Sequence, residues 1–364
     1  MRKRRKVALL YGGNTVEHEV SLVSAATILK HLKPQHFEVI PIGIDKQGHC
    51  FVHDVEDLKY FDKSLPVQTE KSFEVPGLIY KSNFFTNVDV VLSVAHGRNY
   101  QNGGLQGLLT LANTPFVGCD LLGAAIGMDK DISRRLAVGN GVHCPDYRVI
   151  KKSSSEEIRK NHIQEMSQIW GWPLFVKPCS LGSSVGVNKV FDKIECEKSI
   201  AHALQYDEEV LLEQYIQGRE LEVMVIEDLK KHEIRASLPG EIIVNHADGF
   251  YSYAAKYKDA YHSEYMAPAQ ISMDLTKKLR EMAVEIFQRL KLKGMSGIDF
   301  FYDETNQKLY FNGVNTLPAC HPTSLFPQLW NKTGMELEEL FMHWIDTAIL
   351  QHQKRSEVIT HYTI

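Results

Sequence analysis

Apolar and polar positions change their period several times along this chain, and each change marks an element. Val7–Tyr11 is an unbroken apolar run directly after the basic residues Arg2–Lys6, the pattern of a buried strand. A polar-started helix is predicted near Glu19–Leu32, strands over Phe37–Gly43 and Val88–Ala95, and a further apolar run over Leu105–Ala112. This alternation predicts a parallel sheet flanked by helices. Thr114–Cys119 reads as a short strand that starts at Pro115 and is turned out by Gly118, which places a boundary near residue 120.

Gly123–Val138 reads as one helix with Asp129, Lys130 and Asp131 on an exposed turn, followed by a strand at Pro145–Ile150. A charged amphipathic stretch at 154–168, two strands around a Ser/Gly loop, a helix at Lys193–Ala203 and a strand at Val210–Ile216 complete an α+β unit. Strands dominate from Glu220 onward, beginning with the alternating Leu221–Ile226 and continuing through the aromatic segment Gly249–Tyr265. Leu275, Leu279, Met282, Ala283, Ile286 and Leu290 fall at helical spacing. Strands at Gly297–Tyr302 and Lys308–Asn312 and an amphipathic helix at Glu336–Leu350 follow.

A length of 364 residues with 44% apolar content supports a sizeable core and two or three domains. The net charge of −4 provides no broad basic field for nucleic acid, and Arg2–Lys6 reads as a solvated terminus. Five apolar residues after it are too few for a signal-peptide core or a membrane span. Six cysteines without paired short spacing do not form a secreted disulfide framework, so a cytoplasmic location is expected.

Candidate chemistry centres on Leu174–Val187, where an apolar strand ends in Lys177 and passes through Ser180, Gly182, Ser183, Ser184 and Gly186 into another strand. Small residues let backbone N–H groups approach an anion, serines add hydroxyl donors, and the lysine adds fixed charge. The loop fits neither the P-loop nor the dinucleotide fingerprint, and an ordinary tight turn is the competing reading. Lys130 and Lys177 are both suited to a polyphosphate, Lys177 more so because it ends an apolar strand. Glu213, Ile216 and Glu220 lie where one unit passes to the next, and a carboxylate there suits an adenine amino group or a ribose hydroxyl, unless it is a solvated strand end. Asp299 and Asn315 lie on strands joined by the Asp303–Gln307 turn and suit Mg²⁺, although an asparagine in a turn is more often structural.

With these stretches in order, the chain resembles the D-alanine–D-alanine ligases of the ATP-grasp superfamily over nearly its whole length. The resemblance is carried by Gly12–Ser21, His96-Gly97, Gly103–Leu109, Met128–Lys130, the Lys177–Gly186 loop, Ala255–Tyr257 and Val314–Pro318. It implies an α/β and α+β chain with an ATP-grasp fold and an N-terminal Rossmann-like parallel-sheet domain. The N-terminal α/β substrate domain would span 1–120, the central ATP-grasp lobe 121–216, and the C-terminal lobe with substrate and metal sites 217–364. It also implies ATP, Mg²⁺ or Mn²⁺, D-alanine or a similar amino acid, and a homodimer, with no nucleic acid or membrane partner. In this chain's numbering, Lys130, Lys177, Ser184 and Lys256 would serve the phosphates, and Glu213, Ile216 and Glu220 the adenosine. Glu17 would hold the first substrate's ammonium, with Ser183 and Tyr257 completing a relay that closes the Lys256 segment over the site. His96, Ala319 and Ser324 would line the substrate cleft, Ala319 as a backbone donor, and Asp299 and Asn315 would bind metal.

The chain departs from the family pattern at several of these motifs. Gly297 stands where the family has an arginine, Gly313 where it has a glutamate, and Tyr100-Gln101-Asn102-Gly103 where it has Gly-Glu-Asp-Gly. Ala319 replaces a glycine, and Ala254 an acidic residue. Loss of a donor comparable to that arginine costs about 2.7–4 kcal/mol of transition-state stabilisation. Besides D-alanine ligation, a non-catalytic nucleotide binder and a carboxylate–amine ligase with another acceptor therefore stay open at this point.

Overall fold

A computed structural model of the chain describes residues 4–77, 85, 87–139, 141–246, 248–253, 255, 263–321 and 323–359. Among these residues the strands form three sheets. In the first, β1 (Arg5–Gly12) is central and fully buried from Val7 onward, pairing in parallel with β2 (Phe37–Ile44) and β5 (Val90–Ser93). Helix α1 (His18–His31) makes the crossover between β1 and β2. The sheet is not parallel throughout, because β3 (Cys50–Val52) and β4 (Phe73–Glu74) add antiparallel strands at the β2 edge. The Asp45–His49 turn explains the difference: Asp45 Oδ1 accepts from the backbone N–H groups of Gln47 and His49, both at 2.8 Å, and so tight a turn permits only an antiparallel return. Helix α2 (Val55–Leu58) follows β3. The expected strand at Thr114–Cys119 contributes one bridge, Val91 to Phe116, since Pro115 has no N–H for a longer ladder.

Helix α3 (Gly104–Leu111) leads to a pair of helices where the sequence pattern predicts one: α4 (Leu121–Met128) and α5 (Lys130–Ala137). The break lies at Asp129, whose extended backbone lets its carboxylate accept from Ile132 N–H at 2.8 Å and cap α5. Asp129, Lys130 and Asp131 are half-buried rather than exposed, because the Lys130 N–H is hydrogen-bonded to the Cys179 carbonyl.

The second sheet is antiparallel, in the order β6 (Tyr147–Lys151), β9 (Glu209–Gln214), β7 (Leu174–Pro178), β8 (Asn188–Val190). Helices α6 (Glu156–Trp170) and α7 (Lys193–Ala203) cover it, packing Ile163, Met166 and Ile200 against Leu174, Val176 and Leu212. The third sheet comprises β10 (Arg219–Asp228), β11 (Glu233–Ala236), β12 (Gly240–Val244), β13 (Ser263–Met266), β14 (Met295–Asp303) and β15 (Lys308–Asn315). Its path is β13-β12-β10-β14-β15, with β11 beside β10. Helix α8 (Met273–Arg289) buries Leu279, Ala283, Ile286 and Phe287 in a core shared with this sheet, the helical stripe legible in the sequence. Helices α9 (Leu325–Lys332) and α10 (Leu337–Ser356) place Trp330, Phe341 and Trp344 in a core that also holds Val7, Leu9, Met224 and Ile226, so the first and third sheets share one apolar body.

The second and third sheets are joined by charge. Arg134 of α5 is fully buried; its Nη1 donates to Glu213 Oε2 on β9 at 2.6 Å, and its Nε and Nη2 donate to the Asn312 carbonyl on β15 at 3.0 and 2.9 Å. Replacing one partner of such a group leaves an uncompensated buried charge, which costs about 3–5 kcal/mol. Arg134→Met is therefore expected to lower stability by that amount in urea denaturation, whereas Arg135→Met, on the exposed side of α5, should change it by less than about 0.5 kcal/mol.

Candidate active site

A cleft of about 1220 Å³ lies where the three sheets meet, and every candidate residue of the sequence reading that falls among the described residues lines it. Lys256 and Tyr257 lie outside the described residues. On one wall, the strand end of β7 turns into the Ser/Gly loop. Ser183 and Ser184 both take left-handed backbone conformations, with φ of 52° and 58°. Two consecutive non-glycine residues in that region cost on the order of 1–3 kcal/mol each and persist only where neighbours hold them. The holders are visible: Ser183 Oγ donates to Glu17 Oε1 at the start of α1, Ser184 Oγ donates to the Tyr251 carbonyl at 2.8 Å, and Ser180 N–H donates to Asp207 at 2.6 Å.

Lys130 secures the loop from beneath. Its Nζ donates to the carbonyls of Pro178 at 3.1 Å and Leu181 at 2.6 Å, leaving one N–H for the cleft. Burial pulls its ammonium down to about 8 from the ordinary lysine value. Lys177 donates to Glu213 Oε1 at 2.6 Å and to Asn312 Oδ1 at 3.3 Å, and its amine lies 5.2 and 5.4 Å from the ring centres of Phe175 and Phe301. Burial lowers its pKa, opposed by the Glu213 carboxylate beside it.

Glu213, a candidate for the adenosine side, stands between two cations. Both of its oxygens hold cations, Lys177 on one side and Arg134 on the other, and the side chain is 1% exposed. The pairing fixes the Lys177 amine at the cleft border. Beside it Phe175 stands edge-on to Phe250 at 5.2 Å and near Tyr215 at 6.0 Å, so with Ile216 these rings give the cleft a flat apolar wall of the kind that takes a base. Glu220 lies on the same border, on β10.

The opposite wall is the β14–β15 hairpin. Asp299 pairs with Gly313 and Gly297 with Asn315, so the Asp and Asn lie diagonally on one face, next to a bulge between Asp299 and Phe300. On the other side of β14, Glu222 of β10 pairs with Asp299. A Cβ added at Gly297 would lie 2.7 Å from Glu222 Oε1, whereas one at Gly313 would meet nothing within 4 Å. Among the described residues no three His, Cys, Asp or Glu side chains converge on a metal position. Mg²⁺ does not require such a cage, since it is commonly held by one or two carboxylates with phosphate oxygens and water. Asp299, Asn315 and the open space at Gly313 fit an ion of that kind.

At the end of the cleft, His96 is 3% exposed and its Nδ1 lies 3.2 Å from Gln101 Nε2. Ser324 Oγ is 2.7 Å from the carbonyls of Ala319 and His321. Sequence reasoning missed Arg134, Asn312, Phe175, Phe250 and Glu222. Glu222 carried a signal, being a second acidic residue two positions after Glu220 and so on the same strand face.

A Ser/Gly loop and two lysines between antiparallel sheets, facing an Asp/Asn hairpin, are the arrangement of an ATP-grasp carboxylate–amine ligase. Sequence models described as the N-terminus and the C-terminus of D-Ala-D-Ala ligase match residues 6–119 and 136–346. The chain is 44% identical over 363 residues to a D-alanine–D-alanine ligase of Legionella pneumophila (strain Lens), covering 100% of both. It is 36% identical to that of Shouchella clausii (strain KSM-K16), covering 98% of this chain and 97% of the relative. Among solved structures it is similar to the VanG D-Ala:D-Ser ligase from Enterococcus faecalis, with a TM-score of 0.79, 30% identity and coverage of 96% and 100%. It is also similar to the D-alanine-D-alanine ligase from Coxiella burnetii, with a TM-score of 0.77, 26% identity and coverage of 97% and 96%. The chain belongs to the D-alanine–D-alanine ligase family, which uses ATP and Mg²⁺.

Lys130 would give the binding of a polyphosphate against it a defined pH dependence. Its free-state pKa of about 8 means that it loses its proton as pH rises through 8, and a bound polyphosphate favours the charged form. ATP affinity is expected to be flat below pH 8 and to fall above it, with proton uptake approaching one per ATP at pH 9. Titration calorimetry in two buffers of different ionisation enthalpy measures this uptake, and Lys130→Gln should abolish it.

Proposed function

We propose that the chain joins two D-alanines at the expense of ATP through an acyl phosphate, supplying the dipeptide for peptidoglycan precursor synthesis. The observation that supports this most directly is the bond from Ser183 to Glu17. It ties the loop that handles phosphate to a carboxylate positioned for a substrate ammonium, so nucleotide and amino acid meet at one place.

In this reading Glu17 orients the first D-alanine by its ammonium and leaves its carboxylate toward the loop. Lys130, Lys177 and the Ser184 region offset charge on the phosphates of ATP, while Ile216, Glu220 and the aromatic wall take adenine and ribose. Asp299 and Asn315 would hold Mg²⁺, which when bound neutralises phosphate charge. The second D-alanine lies toward His96 and Ser324; its amine attacks the acyl carbon with the Ala319 N–H as an oxyanion donor, forming the C–N bond as inorganic phosphate leaves and the amine gives up its proton. The Tyr253 hydroxyl donates to the Val16 carbonyl at 3.3 Å, bringing the segment that leads to Lys256 and Tyr257 against the start of α1. Closing that segment over the cleft would exclude water from the acyl phosphate. Division into lobes near residues 120 and 216, a homodimer and a cytoplasmic location complete the proposal. No helix among the described residues is long and apolar enough to cross a membrane.

Release of phosphate that depends on D-alanine, with D-alanyl-D-alanine as product, is the expected result of an assay with ATP and Mg²⁺. ATP binding with no D-alanine-dependent release would overturn the proposal.

The two glycines should respond differently to restoration of the family residues. Gly313→Glu enters open space and is expected to keep parental stability while lowering the half-saturating Mg²⁺ concentration severalfold. Gly297→Arg must turn the Glu222 carboxylate aside and can pair with it, and is expected to change stability by no more than about 1 kcal/mol, read from the denaturation midpoint.

A further inference from the structure

His96 and Gln101 form a small closed network at the end of the cleft. Gln101 is buried, and its Oε1 accepts from the Gly97 backbone N–H at 2.7 Å. Its Nε2 lies 3.1 Å from the Leu317 carbonyl, which can only accept. Both contacts fix the same orientation of the amide, so the second Nε2 hydrogen points at His96 Nδ1, 3.2 Å away. Nδ1 must then accept. A neutral imidazole that accepts at Nδ1 carries its proton on Nε2, and His96 Nε2 is buried, with no hydrogen-bond partner among the described residues, on a side chain that lines the cleft.

We infer that Gln101 is a positioning residue that holds His96 in the Nε2–H tautomer, so that the imidazole presents a single fixed donor to an anionic oxygen in the cleft. A glutamate at position 101 would do the reverse at Nδ1, accepting a proton there and favouring the imidazolium. The titratable neighbours are His321, from the loop after β15, and Glu17, whose Oε2 lies 3.0 Å from where a Cβ on Gly97 would stand. Burial holds His96 down to about 4, and burial together with His96 holds His321 at about 4 as well, so neither is cationic near neutrality. Gln101 also ties the loop after β5 to Leu317, between Asn315 and Ala319, so the donor is set relative to the hairpin. The identity of the oxygen that His96 meets rests on the ligase reading. The tautomer does not.

Nitrogen-15 NMR of the full chain, with His96→Gln used to assign the signals, reads the tautomer without turnover. The expected spectrum has a protonated Nε2, a bare Nδ1 and no titration above pH 5. Gln101→Glu should raise the His96 midpoint above the ordinary value of about 6.5 and move the acidic limb of the kcat/KM profile with it. A parental proton on Nδ1, a parental midpoint near 6.5, or a folded Gln101→Glu protein with unchanged His96 titration would each overturn the inference. A purely structural role for Gln101 would alter stability without moving that midpoint. If Gln101→Glu does not fold, the parental spectrum decides alone. D-alanine-dependent phosphate release measured on the same sample shows separately whether the ligase reading fails.

Discussion

The site depends on a single carboxylate held between two cations. Glu213 receives Lys177 on one oxygen and Arg134 on the other, and each cation also reaches Asn312. A buried carboxylate so placed strongly favours its charged form, against the desolvation that opposes it. Four elements meet there: β7 through Lys177, β9 through Glu213, α5 through Arg134 and β15 through Asn312. Because β9 and β15 belong to different sheets, the network sets the separation of the two walls of the cleft. Charge is a costly way to hold a core together, but it is directional in a way that apolar packing is not. The same interaction that locks the sheets leaves Lys177 facing the cleft at a fixed height.

The Ser/Gly loop follows from that frame. Lys130 can hold Pro178 and Leu181 only because Asp129 interrupts the preceding helix and turns Lys130 toward the strand end. The left-handed serines are then kept in place by their hydroxyls, one reaching α1 and the other the segment near Tyr251. Backbone strain in the loop is thus sustained from three directions. Each attachment lies on a different part of the chain, so the loop adopts its conformation only when all three sheets are assembled.

Much of this was legible in the sequence, for identifiable reasons. Apolar runs such as Val7–Tyr11 and the 3.6-residue stripe of Leu279, Met282, Ala283 and Ile286 report burial directly, and both elements formed where expected. The α4–α5 break was not legible, because a capping aspartate inside an otherwise helical pattern looks like an exposed polar position. The outer antiparallel strands of the first sheet were missed because β3 and β4 are too short to show a period. At the cleft, residues carried by loop chemistry and motif spacing were named as candidates and line it together, whereas Arg134 and Asn312 were not named. Their roles arise from a long-range meeting of sheets, and local pattern contains no record of which buried arginine will face which carboxylate.

The paired glycines acquire a physical meaning only on the hairpin. Gly297 and Gly313 alternate with Asn315 and Asp299 on one face, so on β14 and β15 Asp299 and Asn315 have glycines as their paired neighbours. Bareness on the two rows differs in kind. Over Gly297 the space is taken by the Glu222 carboxylate from the next strand, while over Gly313 it is open. The side of Asp299 that faces β10 therefore has a carboxylate supplied across the strand pair, and the side that faces β15 has room for solvent or phosphate. A cationic side chain at 297 and an acidic one at 313 would give this face a different distribution of charge, with the positive group nearest Glu222. An arginine at 297 and a glutamate at 313 carry opposite unit charges, so the glycine pair has the same formal charge as that pair would. The two glycines thus differ in what surrounds them, one under a carboxylate and the other under open space.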